Sequence, residues 1–89
     1  MIELELVNNI CISTLVFAIE NGVAIPQYIL MDGDGHTTKG FKCEWATVKD
    51  GEMWLGGLGK EWTDNSGRIL NLNPLWVKVI DEEGRIRHV

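Results

Sequence analysis

Residues Lys39 to Trp62 read KGFKCEWATVKDGEMWLGGLGKEW, and the period of this stretch decides the fold. From Phe41 to Lys49 the residues alternate as in a strand with two unlike faces: Phe41, Cys43, Trp45 and Thr47 on one, Lys42, Glu44, Ala46 and Val48 on the other. Asp50-Gly51 then predicts a two-residue hairpin turn into Met53-Trp54-Leu55, because such a turn needs positive φ at both central positions. On this phase Glu44 sits opposite the face of the large aromatics. The run Gly56-Gly57-Leu58-Gly59-Lys60 has phosphate-loop flavour, but Trp54 stands where a P-loop needs Gly and Glu61 where it needs Ser or Thr. The glycines are therefore read as allowing backbone to approach a ligand or a neighbouring strand closely.

Outward from this hairpin, the same signals recur. Ile2, Leu4 and Leu6 alternate with Glu3 and Glu5, which predicts a short half-buried strand. Leu15 to Glu20 and Val23 to Met31 flank Asn21-Gly22, a second hairpin, with Pro26 placing the later strand at an edge or at a bulge. Asp32-Gly33-Asp34-Gly35 opens a polar loop through Gly40. Thr63 to Gly67 and Asn71 to Pro74 read as polar loops, Trp76 to Ile80 as a β-branched strand, and Glu83-Gly84 as a turn into Arg85 to Val89. No apolar period of about 3.6 residues persists long enough for a helix. The chain is expected to be all-β, in antiparallel strands, as one domain over residues 1–89. Turn signals every 8 to 12 residues or so fit a sandwich, barrel or propeller alike. A propeller blade takes roughly 40 to 45 residues, so the chain has room for about two.

Composition narrows the function classes. A domain near 89 residues buries only about 60 to 70% of its unfolded surface, so its stability margin is small. The formal net charge is −5 and the eight Lys and Arg are spread singly, which leaves no basic stripe for a nucleic-acid polymer; a polyanionic partner would need a metal ion. The apolar run Ile10 to Ile19 has the length of a signal-peptide core, but Glu3 and Glu5 precede it where basic residues belong and no small-residue cleavage pattern follows. It is also too short to span a bilayer, so it reads as a buried strand, with no membrane segment or export signal expected here. Cys11 and Cys43 allow one disulfide or none.

Several motifs carry chemistry on their face. Asp32 to Gly35 resembles the start of a calcium loop, but the fifth, sixth and twelfth positions are His36, Thr37 and Cys43, so an Asp/Gly turn with exposed carboxylates is expected. Cys11, Cys43, His36 and His88 lack the close pairs of a zinc site. Of Trp45, Trp54, Trp62 and Trp76, most are expected in the core or at interfaces. Trp62, beside Lys60 and Glu61 at the end of the glycine run, could stack on a base or pack in the core. Glu44 is a functional carboxylate or a solvated partner of Lys42.

Tyr28-Ile29-Leu30 with Asp32-Gly33-Asp34-Gly35, Lys39-Gly40-Phe41-Lys42 with Glu44-Trp45, Gly56-Gly57-Leu58-Gly59-Lys60-Glu61-Trp62, and Asn73-Pro74 with Trp76-Val77-Lys78-Val79 together resemble the apyrase, or soluble calcium-activated nucleotidase, family. The likeness runs from about Leu15 to Val79 and covers a minority of the family's five-bladed β-propeller. It implies about two blades of an incomplete propeller, Ca²⁺ as cofactor, and calcium-dependent hydrolysis of nucleoside di- and triphosphates, UDP and GDP among them. By resemblance Glu44 is one ligand of a calcium ion in the central channel, Lys60 a phosphate contact and Trp62 a base contact. It also implies a secreted or endomembrane-lumen location and leaves a homodimer open. Two departures stand out. Ile10 to Thr14 replaces the polar, charged turn that family members carry before the strand matching Leu15 to Ile19, and the remaining calcium ligands belong to blades outside this chain. The alternatives are a non-catalytic β binding domain and a fragment that does not fold alone.

Overall fold

In this computed structural model, residues 2–4, 9–12 and 14–89 are described. The elements in chain order are β1 (Ile2–Leu4), β2 (Asn9–Ile12), β3 (Leu15–Glu20), β4 (Val23–Ile29), β5 (Trp45–Lys49), β6 (Glu52–Gly56), β7 (Trp62–Thr63), β8 (Ile69–Asn71), a 3-10 turn at Asn73–Leu75, β9 (Val77–Ile80) and β10 (Ile86–His88). They make two four-stranded antiparallel sheets, ordered β1-β2-β3-β4 and β10-β9-β6-β5, and a two-stranded ribbon of β7 and β8. Neighbours within each large sheet follow one another along the chain, apart from the β7–β8 excursion. The all-β, antiparallel expectation holds, and no sheet closes on itself among the described residues. No helix in them is long and apolar enough to cross a membrane.

Both predicted two-residue hairpin turns form for the steric reason given. Asn21 and Gly22 take φ of 52° and 76°, Asp50 and Gly51 take 50° and 76°, and each pair joins strands whose end residues face each other, Glu20 to Val23 and Lys49 to Glu52. Pro26 lies on an edge strand and beside a bulge: the register shifts so that Val16 opposes Tyr28 while Phe17 opposes Pro26, leaving Gln27 as the extra residue. The bulge serves the interior, because Gln27 Oε1 accepts a 3.0 Å hydrogen bond from Nδ2 of buried Asn9, which also donates to Phe17 O at 3.0 Å.

Four expectations need correction. The run 10–19 is two strands, β2 and β3, paired Ile12 to Leu15 with Thr14 in the turn before β3; Leu6 and Glu5 of the first predicted strand lie outside the described residues. The strand predicted from Phe41 begins at Trp45, and the alternation slips there by one residue. Glu44 N donates to Gly56 O at 2.9 Å while Trp45 is paired with the same Gly56, so two residues oppose one, as in a β-bulge. Phe41 and Cys43 therefore point inward before the slip and Ala46 and Val48 after it, while Trp45 and Thr47 turn outward with Glu44. The tryptophans are not the core: Trp45 and Trp62 are exposed and Trp54 and Trp76 half-buried. Finally, the polar stretch after Trp62 contains the β7–β8 ribbon, whose connection Asp64 organises by accepting from Ser66 N at 2.9 Å and Arg68 N at 3.0 Å.

The core is a single cluster that joins the two large sheets. Cys11 and Val16 come from the first sheet, Met53, Leu55 and Ile80 from the second, and Leu30, Phe41 and Cys43 from the segments that link them. Leu30 is the hinge of this arrangement: its N–H donates to Thr14 O and its carbonyl accepts from Phe41 N, both at 2.9 Å. Burying side chains of this size contributes roughly 1.5 to 3 kcal/mol each, and most of that is shared between the sheets rather than held within either.

Candidate functional site

The linking segment builds a cleft. An antiparallel bridge of Met31 with Gly40 closes a loop, reinforced by Asp32 N donating to Lys39 O at 2.8 Å and by Thr37 Oγ1 donating to Asp32 O and Lys39 O at 3.1 Å. This sets Asp32 and Lys39 side by side at the loop's neck. Beyond it the chain presents Lys42 and Glu44 outward while Phe41 and Cys43 anchor it inward. The glycine run approaches from the other side, with Gly59 N donating to Pro74 O at 3.1 Å. A Cβ on Gly57 would stand 3.3 Å from Lys42 O, and one on Gly56 would enter the Trp45 ring. The run thus serves close backbone packing, the structural one of its two sequence readings.

Asp32, Gly40, Lys39, Lys42, Glu44, Leu58, Trp62 and Pro74 surround a cleft of about 160 Å³. Two of the three residues singled out in the sequence, Glu44 and Trp62, meet here although they sit on different elements. Lys60 is exposed and does not line the cleft. Lys42 Nζ stands 3.5 Å from Glu44 Oε1, both side chains well exposed, so the expected surface pairing is present. Lys39 Nζ lies 3.9 Å from the centroid of the Trp62 ring, where the face of the indole attracts a cation. Asp32, expected to be exposed, is only 7% exposed. The cleft thus brings two ammonium groups and two carboxylates beside the partly exposed indole of Trp62, against which Lys39 rests.

Behind the loop lies a polar cluster that sequence reading missed. Lys78 is inaccessible to solvent at 0% exposure; its Nζ donates to Gly33 O, lies 2.9 Å from His88 Nδ1, and stands 5.4 Å from the Phe41 ring centroid. Opposite a lysine ammonium, which offers only donors, Nδ1 of a neutral His88 ring is the acceptor. Burial pushes the Lys78 ammonium toward losing its proton, while the Asp32 and Asp34 carboxylates oppose this. Burial also lowers the His88 pKa, with the Lys78 charge next in effect. The close fit is steric too, since a Cβ on Gly33 would meet Asn73 and one on Gly35 the His88 ring. The only sequence trace of this cluster is a lysine amid the apolar residues of Val77 to Ile80.

A calcium ion needs about six to eight oxygen ligands. Glu44 and Asp32 supply two carboxylates to the cleft, and no group of three His, Cys, Asp or Glu able to hold a metal exists among the described residues. These residues by themselves do not make a calcium site.

Comparison with known proteins agrees with the motifs. The family model described as Apyrase matches residues 10–89. Soluble calcium-activated nucleotidase 1 of Rattus norvegicus is 50% identical over 74 residues, covering 83% of this chain and 18% of that protein. An apyrase of Cimex lectularius is 47% identical over 72 residues, 81% of this chain and 20% of its own. Apyrase apy-1 of Caenorhabditis elegans is 47% identical over 74 residues, 83% of this chain and 21% of its own. The chain thus spans about a fifth of the length of the curated relatives it matches. A family model matched over residues 10–89 and half-identity across most of these 89 residues mean that this chain belongs to the apyrase family.

Proposed function

We propose that this chain is part of a calcium-dependent nucleotide phosphohydrolase acting on nucleoside di- and triphosphates, UDP and GDP among them, with its two large sheets as adjacent blades of a β-propeller. The observation that carries the reading is the convergence of Glu44, Trp62, Lys39 and Lys42 on one cleft. The Trp62 ring offers a stacking surface for a base once Lys39 turns from it toward a phosphate, and the Lys39 and Lys42 ammonium groups offset phosphate charge. Lys60 contributes at the rim, reaching a phosphate chain that extends out of the cleft. Glu44 is a carboxylate this chain presents to calcium; ligands elsewhere in the propeller complete the shell. A secreted or lumenal location goes with this reading.

A second reading, a β module that binds without turnover, is favoured by the incomplete ligand set among the described residues. Phosphate release from UDP and GDP by the propeller that contains this chain, with and without Ca²⁺, for the wild type and Glu44→Gln, separates the two. The expected result is calcium-dependent release that falls by about tenfold or more in the variant, as for loss of a charged ligand. Nucleotide binding without phosphate release at any calcium concentration would transfer the assignment to the binding module.

A further inference from the structure

We propose that Cys11 and Cys43 are the two halves of a disulfide that ties β2 of the first sheet to the segment entering β5 of the second. This does not depend on the nucleotidase reading. The sequence leaves the pairing open, but the fold brings the two residues together: both belong to the core cluster between the sheets, Cys11 at 0% and Cys43 at 9% exposure. Each thiol is the other's hydrogen-bonding neighbour within that cluster, and a disulfide of about 2.05 Å would replace the contact. Their surroundings are apolar, Val16, Phe41 and Leu55 among them. Cys43 Sγ also lies 3.7 Å from Trp45 O, which orients it beside the bulge.

The pair is asymmetric. The hydrogen bond from Cys11 lowers the pKa of Cys43 against the effect of burial, while the same contact and burial raise that of Cys11. With oxidised glutathione as the oxidant, the thiolate of one cysteine attacks one glutathione sulfur, forms a mixed disulfide and expels the other glutathione as thiolate. The second cysteine then gives up its proton, attacks the sulfur of the first and displaces the second glutathione. Two protein thiols are oxidised, one glutathione disulfide is reduced to two thiols, and the protons of Cys43 and Cys11 end on them. Because both sulfurs are buried in the folded chain, exchange takes place as the core closes, and the finished bond is shielded from reduction.

The test equilibrates the full chain with defined mixtures of oxidised and reduced glutathione, in native buffer and in concentrated guanidinium chloride. Samples are quenched with N-ethylmaleimide and read by intact mass and peptide mapping. The fold should make the equilibrium constant for the Cys11–Cys43 cross-link larger by about tenfold or more in native buffer than in denaturant. Equal constants, or two maleimide adducts on the native chain where the denatured chain is cross-linked, would overturn the proposal. This reading comes from the wild type, so it survives a variant that fails to fold.

Discussion

His88 accepts from a buried ammonium, and this makes it the titrating group of the interior. Its folded pKa lies below the ordinary value, chiefly through burial, then through Lys78 and His36, with Asp34 opposing. The unfolded chain therefore binds more protons than the folded chain in the window just below the ordinary value of about 6.5, so stability rises with pH there. The contribution is whole above about pH 6.5 and is lost as pH falls through the depressed folded value. We expect the urea midpoint to drop between about pH 7 and pH 5. His88→Gln, which keeps an acceptor for Lys78 but does not titrate, should flatten that slope. An equally steep slope in the variant would show that the proton goes elsewhere. The pairing of Glu44 with Lys42 is at the surface, where an ion pair contributes little, so Glu44→Gln reports on ligand chemistry rather than on folding.

At the scale of elements, turns were the most legible feature because their chemistry is local. Asn21-Gly22 and Asp50-Gly51 announce themselves since few residues tolerate positive φ. The two sites make a clean comparison: a Cβ on Gly22 would meet nothing within 4 Å, whereas one on Gly51 would meet the Glu82 carboxylate. Gly22→Ala should therefore cost about 1 to 2 kcal/mol by backbone strain alone, read from urea denaturation. An unchanged midpoint would mean that the turn contributes nothing to holding β3 against β4. A related device went unread. The pattern Asp-x-x-Gly-Arg occurs at Asp64 to Arg68 and again at Asp81 to Arg85, and in both the aspartate accepts from the backbone N–H groups two and four residues on, all at 2.9 to 3.0 Å. The carboxylate of each stays below its usual pKa range for that reason: at Asp64 the Ser66 hydroxyl leads, at Asp81 the Arg85 N–H. The bulge at Glu44 and Trp45 was not readable, because alternation carries no mark of where a strand takes an extra residue.

Over the whole molecule, the sheets stand or fall together through Phe41. It is 1% exposed, hydrogen-bonds through its backbone to Leu30, and packs in the cluster shared by both sheets. Phe41→Ala should cost about 3 to 5 kcal/mol, comparable with the full stability of a small domain. Hydrogen exchange should then rise in the β2–β3 pair and the β6–β9 pair alike. Faster exchange confined to the second sheet would show that the core is divided. Edge strands β4 and β5 and the exposed apolar residues Ile12, Ile29, Leu72 and Leu75 mark surfaces that the described residues do not cover. They fit a chain that spans about a fifth of its relatives' length.

Local sterics and short-range alternation settled, from the amino acids alone, that this chain is all-β, where its glycine turns fall, and which stretch would frame a site. Packing between distant segments decided the remainder: that Trp45 faces out and Ala46 in, that Lys78 reaches His88 behind the loop, that Lys60 stands outside the cleft, and that Cys11 meets Cys43. A turn is determined by the torsions of two residues, whereas the inward face of a strand and the partner of a buried charge are set by what lies across the core, which neighbouring residues do not encode.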